Sequence, residues 1–337
     1  MRFPLAVSGR GRHLAVVLLS SATVLLSCKK SVEQPGAPTT GPAKSPEMVS
    51  KPAGSVAATV TMKIVGGGLK NPRSVAVDPS GNLYVADTGN SRIVKFDATG
   101  RQLAAFGKKG KGPGEFGEAW IAAVSPQRNI LVLDRETTWI QVFSPDGKFV
   151  TQIAGPQATL YFPGGMAVGP DGVIAIADTG GNRVVFLEPD GKLHSKALTG
   201  AGGIALVQPS DVFFGPKGDF FIYQTASSGG KARLFHLQGG GATLAAWEAV
   251  EAPSTRDGPR GLVLPNGRIL LTDPREGRLL LLAADGETYQ TVRLGGGQAL
   301  KFDGGVAMDS RNGLYVVEIE NSALYRFELE AEGAKGK

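Results

Sequence analysis

The chain of 337 residues has one cysteine, Cys28, and three histidines, His13, His194 and His236. A lone thiol has no partner within the chain, so no disulfide framework holds the fold. No apolar run is long enough to cross a bilayer. The longest, Leu14 to Leu26, spans roughly 20 Å as a helix against a hydrocarbon core of roughly 30 Å, the length of a secretory h-region. The glycine- and lysine-rich stretch FGKKGKGPGEF, residues 106–116, lacks the G-K-[ST] ending of a phosphate-binding loop, and no helical period of apolar residues follows it. Nucleotide binding there has little support.

What is present begins with the leader. Arg2, Arg10 and Arg12 precede the apolar run, and Leu25-Leu26-Ser27-Cys28 closes it. This ending resembles the lipobox of bacterial lipoproteins: Leu25, Ser27 and Cys28 match, and Leu26 is bulkier than the usual small residue. The resemblance implies cleavage before Cys28, acylation of Cys28, and attachment to a membrane facing the periplasm or exterior. Lys29 after the cysteine favours the outer membrane under the enteric sorting rule.

Residues 28–56 are rich in Pro, Gly, Ser, Thr and Lys and poor in large apolar side chains, so a flexible tether is expected. Loss of the leader lowers the formal net charge from +6 to +3, and the tether holds a further two positive charges. The remainder is nearly neutral, which gives no basis for a nucleic-acid partner.

From Asn71 the order strand, turn, strand, polar turn, strand, Gly turn, strand runs through NPRSVAVDPSGNLYVADTGNSRIVKFDATGRQLAAFG and returns at Phe162. Counted at Gly81, Asn129, Gly172, Gly218, Gly267 and Gly313, the unit recurs six times, at intervals of 48, 43, 46, 49 and 46 residues. Short β-rich runs such as LYVAD, IAIAD and FFIYQ exclude helical repeats of that length, and the period predicts an all-β, six-bladed propeller over residues 57–330. The sixth unit runs into the charged tail 331–337 without a fourth strand, so residues 58–66 should close the last blade beside Ala323–Leu329. A single closed ring of this kind is expected to be monomeric.

The strings ADTGNSRI and ADTGGNRV, with the connection GKGPGEF, resemble the NHL-repeat family of β-propellers. That family includes protein- and RNA-interaction modules, receptor sensor domains and metal-dependent lyases. The resemblance implies the fold without choosing a function.

Asp87 with Arg92, Asp178 with Arg183 and Asp273 with Arg278 recur between units, so a turn-stabilising role is expected for them. The amidating lyases among NHL-like proteins use histidine ligands. Here His194 and His236 fall in outer strands, away from the axis, and Asp78, Ser125 and Asp309 lie at strand ends. No catalytic set, metal site or cofactor is therefore expected.

The unique residues just before each first strand, Arg73, Trp120, Gly164, Ser210, Arg260 and Gly304, line the channel mouth. Arg73, Trp120 and Arg260 are the candidate binding residues for a protein or small-molecule ligand, with Trp120 exposed between the arginines. The competing reading packs Trp120 between blades. Function is thus expected to be that of a lipid-anchored binding or scaffolding module, the alternative being a metal-dependent lyase or hydrolase using the channel.

Overall fold

The computed structural model describes residues 47–48, 51–64, 68–153, 159–225, 232–248, 260–274, 276–294, 301 and 303–330. Cys28, the leader and the tail 331–337 lie outside them. The described residues form an all-β, six-bladed propeller. Blade one is Ser74–Val77, Leu83–Asp87, Arg92–Phe96 and Gln102–Phe106, and blade two is Ala119–Val124, Ile130–Asp134, Ile140–Phe143 and Phe149–Ile153. Blade three has Gly165–Val168, Ile174–Asp178 and Arg183–Leu187, with single bridges from Leu193 and Leu198 in place of a regular fourth strand. Blade four is Pro209–Phe214, Phe220–Gln224, Arg233–Leu237 and Thr243–Glu248, and blade five is Gly261–Val263, Ile269–Asp273, Arg278–Leu282 and Thr288–Leu294. Blade six holds Val306–Met308, Leu314–Glu318 and Ala323–Leu329. Each first strand touches the next around the ring, and the sixth touches the first.

The core lies between blades. Each described apolar cluster joins two consecutive blades, and together they complete the circuit. The second strands explain the apolar runs of the sequence. In LYVAD, Leu83 and Val85 pack toward blade six whereas Tyr84 and Ala86 pack toward blade two. A strand buried on both faces needs apolar residues at every position, not every second one.

The turn between first and second strands puts one residue in the left-handed region: Gly81, Gly172, Gly218 and Gly267, but Arg128 in blade two and Asn312 in blade six. In each case the N–H of that residue donates to the carbonyl three positions earlier, as from Arg128 to Ser125 and from Asn312 to Asp309. The equivalent positions are therefore Arg128 and Asn312, one before the Asn129 and Gly313 used to count the units. Asp78 and Asp309 serve these turns as expected, each accepting backbone N–H bonds from residues two and four further on.

The closing strand is longer than expected, Lys51–Ile64. Its second half runs antiparallel to blade six, from Ala58 opposite Leu329 to Ile64 opposite Leu324. Its first half runs parallel to the fourth strand of blade five, Val56 opposite Val292 and Ala58 opposite Leu294. One strand thus merges blades five and six into a single eight-stranded sheet. Glu47–Met48 also pairs with Trp247–Glu248 of blade four. Pairing begins inside the segment 28–56 read as a tether. A blade edge offers backbone partners to a segment that carries few large apolar side chains of its own.

Candidate functional site

The carboxylate or amide side chain that ends the second strand clamps the preceding crossover in five of the blades. Asp87 accepts from Lys70 N–H at 2.6 Å, Asp134 from Gly117 at 2.7 Å, and Asp178 from Tyr161 at 2.6 Å. Gln224 accepts from Val207 at 2.8 Å and Glu318 from Lys301 at 3.2 Å. The donor stands 17 residues before the acceptor in each pair. Arg92, Arg183 and Arg278 close ion pairs with Asp87, Asp178 and Asp273 at 2.7, 2.8 and 2.8 Å. Repetition marks these as structural.

The crossover 106–116 closes on its own side chains. Glu115 accepts the Gly112 N–H at 3.0 Å and pairs with Lys108 at 3.2 Å, while Lys111 reaches Glu136 at 2.8 Å. A carboxylate of the loop itself takes a glycine N–H that an anion would need.

Of the six channel-mouth residues, Trp120, Gly164, Ser210 and Arg260 meet in an interior network, with Arg73 against the Trp120 ring. Trp120 is only 2% exposed, which corrects the expectation of an exposed indole. Its Nε1 donates to the Gly164 carbonyl at 3.0 Å, and its ring packs in the cluster between blades two and three. Arg260, 7% exposed, spans three blades: Nη1 donates to Gly164 O at 2.8 Å and Ser210 O at 3.1 Å, and pairs with Asp211 at 3.4 Å. The guanidinium of half-buried Arg73 stands 4.8 Å from the Trp120 centroid, and its carbonyl accepts the Gly305 N–H at 2.8 Å. The reason is geometric: inner strands converge, so a long side chain at the mouth meets its neighbours before it meets solvent. Glycine is required where they meet. A Cβ on Gly165 would stand 2.3 Å from Asp211 Oδ1 and 2.8 Å from Asp211 Cα.

The cavities lie one layer outward, beside a further buried arginine. Arg135 follows the clamp residue Asp134, where blades one and three have Thr88 and Thr179. Those threonines donate to Ala119 O and Pro209 O of the next blade. Arg135 instead places its guanidinium carbon 3.9 Å from the centroids of both Trp120 and Phe162, held between the two rings.

Two cavities flank it. One of about 690 Å³ is lined by Arg73, Lys109, Glu118 and Arg135 among others. One of about 540 Å³ is lined by Leu160, Tyr161, Thr179, Gln208 and Thr225 among others. Both are lined in part by Arg135, Glu136 and Phe162, so the two cavities adjoin at these residues. Tyr161, 71% exposed, stands on the wall of the smaller one. Arg135, Tyr161 and Phe162 were missed from sequence. The available signal was Arg135 itself, the departure of blade two from the Asp-Thr pair.

Burial pushes the Asp211 carboxyl up to about 6, against the opposing pull of Arg260 and the Gly261 N–H. Burial also raises Asp303, against the Ile319 N–H and the charge of Arg73. His236 lies in the third strand of blade four, bound to Asp219 at 2.7 Å and stacked on Phe221, and His194 pairs with Glu188 at 2.7 Å. Among the described residues no three His, Cys, Asp or Glu side chains form a group that could hold a metal ion. No helix among them is long and apolar enough to cross a membrane.

Geometry and repeat together define a six-bladed β-propeller with NHL repeats in two of its blades. The NHL repeat family matches residues 69–96 and 160–185, which fall in blade one and run into blade three. The chain is similar to protein brain tumor of Drosophila melanogaster, 30% identical over 135 residues, covering 40% of this chain and 13% of that protein. It is also similar to peptidyl-glycine alpha-amidating monooxygenase of Mus musculus, 41% identical over 90 residues, covering 24% of this chain and 9% of that protein. The chain therefore spans about a tenth of these relatives. Among solved structures, a gluconolactonase of Xanthomonas campestris superposes with a TM-score of 0.58 at 16% identity, covering 83% of this chain and 99% of that one. Such identity shows the shared fold alone.

Proposed function

We propose that the protein is a lipid-anchored, extracytoplasmic binding module whose ligand occupies the cavities beside Arg135, with Cys28 as the acylated residue. The observation that carries the reading is the pair of adjoining cavities, lined by residues that do not repeat between blades: Arg135 and Phe162 in both, and Tyr161 in the smaller. Ligand sites are concave, part apolar, and furnished with a few converging polar groups, within roughly 300 to 1,000 Å³. Of the residues first considered for recognition, Arg73 lines the larger cavity and Trp120 packs against Arg135, whereas Arg260 lines neither cavity. Hydrogen exchange tests the proposal. A panel of sugars, amines, carboxylic acids and short peptides should contain a member that protects residues 135–138 and 159–164, and protection confined to other segments would overturn the reading.

A second reading, a lyase or hydrolase using the channel, draws on the buried Asp211–Arg260 pair. A carboxyl with a pKa of about 6 can hold or release a proton near neutrality. A stoichiometric divalent cation that survives dialysis, with turnover lost in Asp211→Asn, would favour it.

A further inference from the structure

We infer that the smaller cavity is a saccharide site, in which the exposed ring of Tyr161 stacks on the C–H face of a neutral sugar. The inference rests on the binding reading above and narrows its ligand. Tyr161 is fixed by its backbone: its N–H donates to Asp178 at 2.6 Å, and its carbonyl accepts the Gly180 N–H at 2.8 Å. Its ring lies against Gly180, where an added Cβ would stand 2.2 Å from Cδ1 and 2.9 Å from Cε1. The ring is thus seated on a glycine, and the residue is still 71% exposed. A seated, open aromatic ring costs little entropy to use. The negative quadrupole of its face attracts the slightly positive C–H groups of a sugar ring.

Blade one shows that the fold does not ask for aromatic residues here. The same seat, at Gly89, holds the aliphatic stem of Lys70. The residue that follows takes the left-handed region in both blades, Asn71 at φ +46° and Phe162 at φ +58°. Asn tolerates that conformation and a bulky aromatic does not, so blade three carries backbone strain that the repeat itself does not require. Both departures, Tyr161 and Phe162, line the same cavity.

The polar lining selects a ligand rich in hydroxyls and without charge. Thr179 and Thr225 donate to the carbonyls of Pro209 at 2.7 Å and Gln208 at 3.3 Å, so toward a ligand they can only accept. Thr138, Tyr161 and Gln208 line the same cavity with hydroxyl and amide groups that donate as well as accept. Sugar hydroxyls answer both kinds. The lining holds one charge of each sign, and both are engaged: Arg135 is buried between Trp120 and Phe162, and Glu136 is paired with Lys111 at 2.8 Å. An ionic group would give up hydration here without gaining a counter-charge.

The test is titration of the mature protein with D-glucose, D-galactose, D-mannose and N-acetyl-D-glucosamine, read by calorimetry and by hydrogen exchange over residues 159–164. At least one should bind and protect that segment, and binding by none overturns the inference. Tetrahydropyran, the same ring without hydroxyls, should bind at least tenfold more weakly than the best of these sugars. D-glucuronate and D-glucosamine should bind no more tightly than that sugar, and tighter binding of either overturns the inference. Tyr161→Ala should weaken the sugar at least fivefold, whereas Tyr161→Phe, which keeps the aromatic face, should weaken it less than twofold, with both melting temperatures measured alongside. Equal losses in the two variants overturn the stacking. Protection of 159–164 by an acid or an amine and by no neutral sugar overturns the inference and leaves the binding reading standing. A disaccharide of the preferred sugar binding more tightly than the single residue supports the site with a polysaccharide as the source, and equal or weaker binding supports it with a free sugar.

Discussion

Trp120 of blade two and Arg260 of blade five donate to the same carbonyl, that of Gly164, at 3.0 and 2.8 Å. Two buried donors from opposite parts of the ring converge on blade three, so the channel mouth is braced from within. Truncating the indole removes both a packed ring and a donor. Trp120→Ala should cost about 3 to 5 kcal/mol, and Trp120→Phe, which fills most of the space, should lose the hydrogen bond at about 1 kcal/mol. Chemical denaturation measures both; an unchanged midpoint for Trp120→Ala would show the ring to be dispensable.

The Asp211 carboxyl has a folded pKa of about 6, above its value in the unfolded chain of about 3.9. The folded state then binds the extra proton, so this stabilising contribution is complete below about pH 3.9 and is lost as pH rises through about 6. Asp303 is shifted the same way and adds to the slope. In Asp211→Asn the stability curve should be flatter between those values than in the parent. A variant as steep as the parent would assign the slope to other groups.

Gly165 has no room for a side chain, because the nearest atoms include Asp211 Cα, which is backbone and cannot swing aside. Gly165→Ala should destabilise by about 1 to 3 kcal/mol as an overpacked site. Gly203, where an added Cβ meets nothing within 4 Å but φ is +78°, gives the comparison: strain of backbone alone. The melting temperature of the first should fall further than that of the second.

Removing residues 51–64 should expose the edges of both Thr288–Leu294 and Ala323–Leu329, since one strand covers the two. The truncated chain should self-associate in light scattering and lose the cooperativity of unfolding. Removing 29–46 should do neither.

Cys28→Ser should release the protein from the membrane fraction or stall its processing. Two or more acyl chains make attachment stable where one does not, at roughly 0.8 kcal/mol per buried CH₂. Unchanged fractionation and unchanged mass of the mature N-terminus would overturn the anchor.

The sequence by itself determined what repeats. Blade number, strand order and closure by an N-terminal strand follow from turn spacing and short apolar runs, because a period of 43 to 49 residues with four β-rich runs admits few other folds. A structural role for the recurring Asp was legible for the same reason, since a residue found in most copies must serve what the copies share, but the expected role was in the turn that follows, and its hold on the crossover 17 residues earlier came only from the structure. Register was less so, since whether Asn129 or Arg128 holds the left-handed turn position depends on which N–H closes the turn. Only the tertiary structure decided what happens where blades meet. Arg73, Trp120 and Arg260 look alike as polar or aromatic residues near the start of a strand, yet convergence of the inner strands buries two of them, whereas Arg73 lines a cavity and Tyr161, further out, is exposed. Burial at the centre of a ring is set by neighbours some 40 to 100 residues away, such as Gly164 for Trp120 and for Arg260, 44 and 96 positions distant. No local pattern carries that distance.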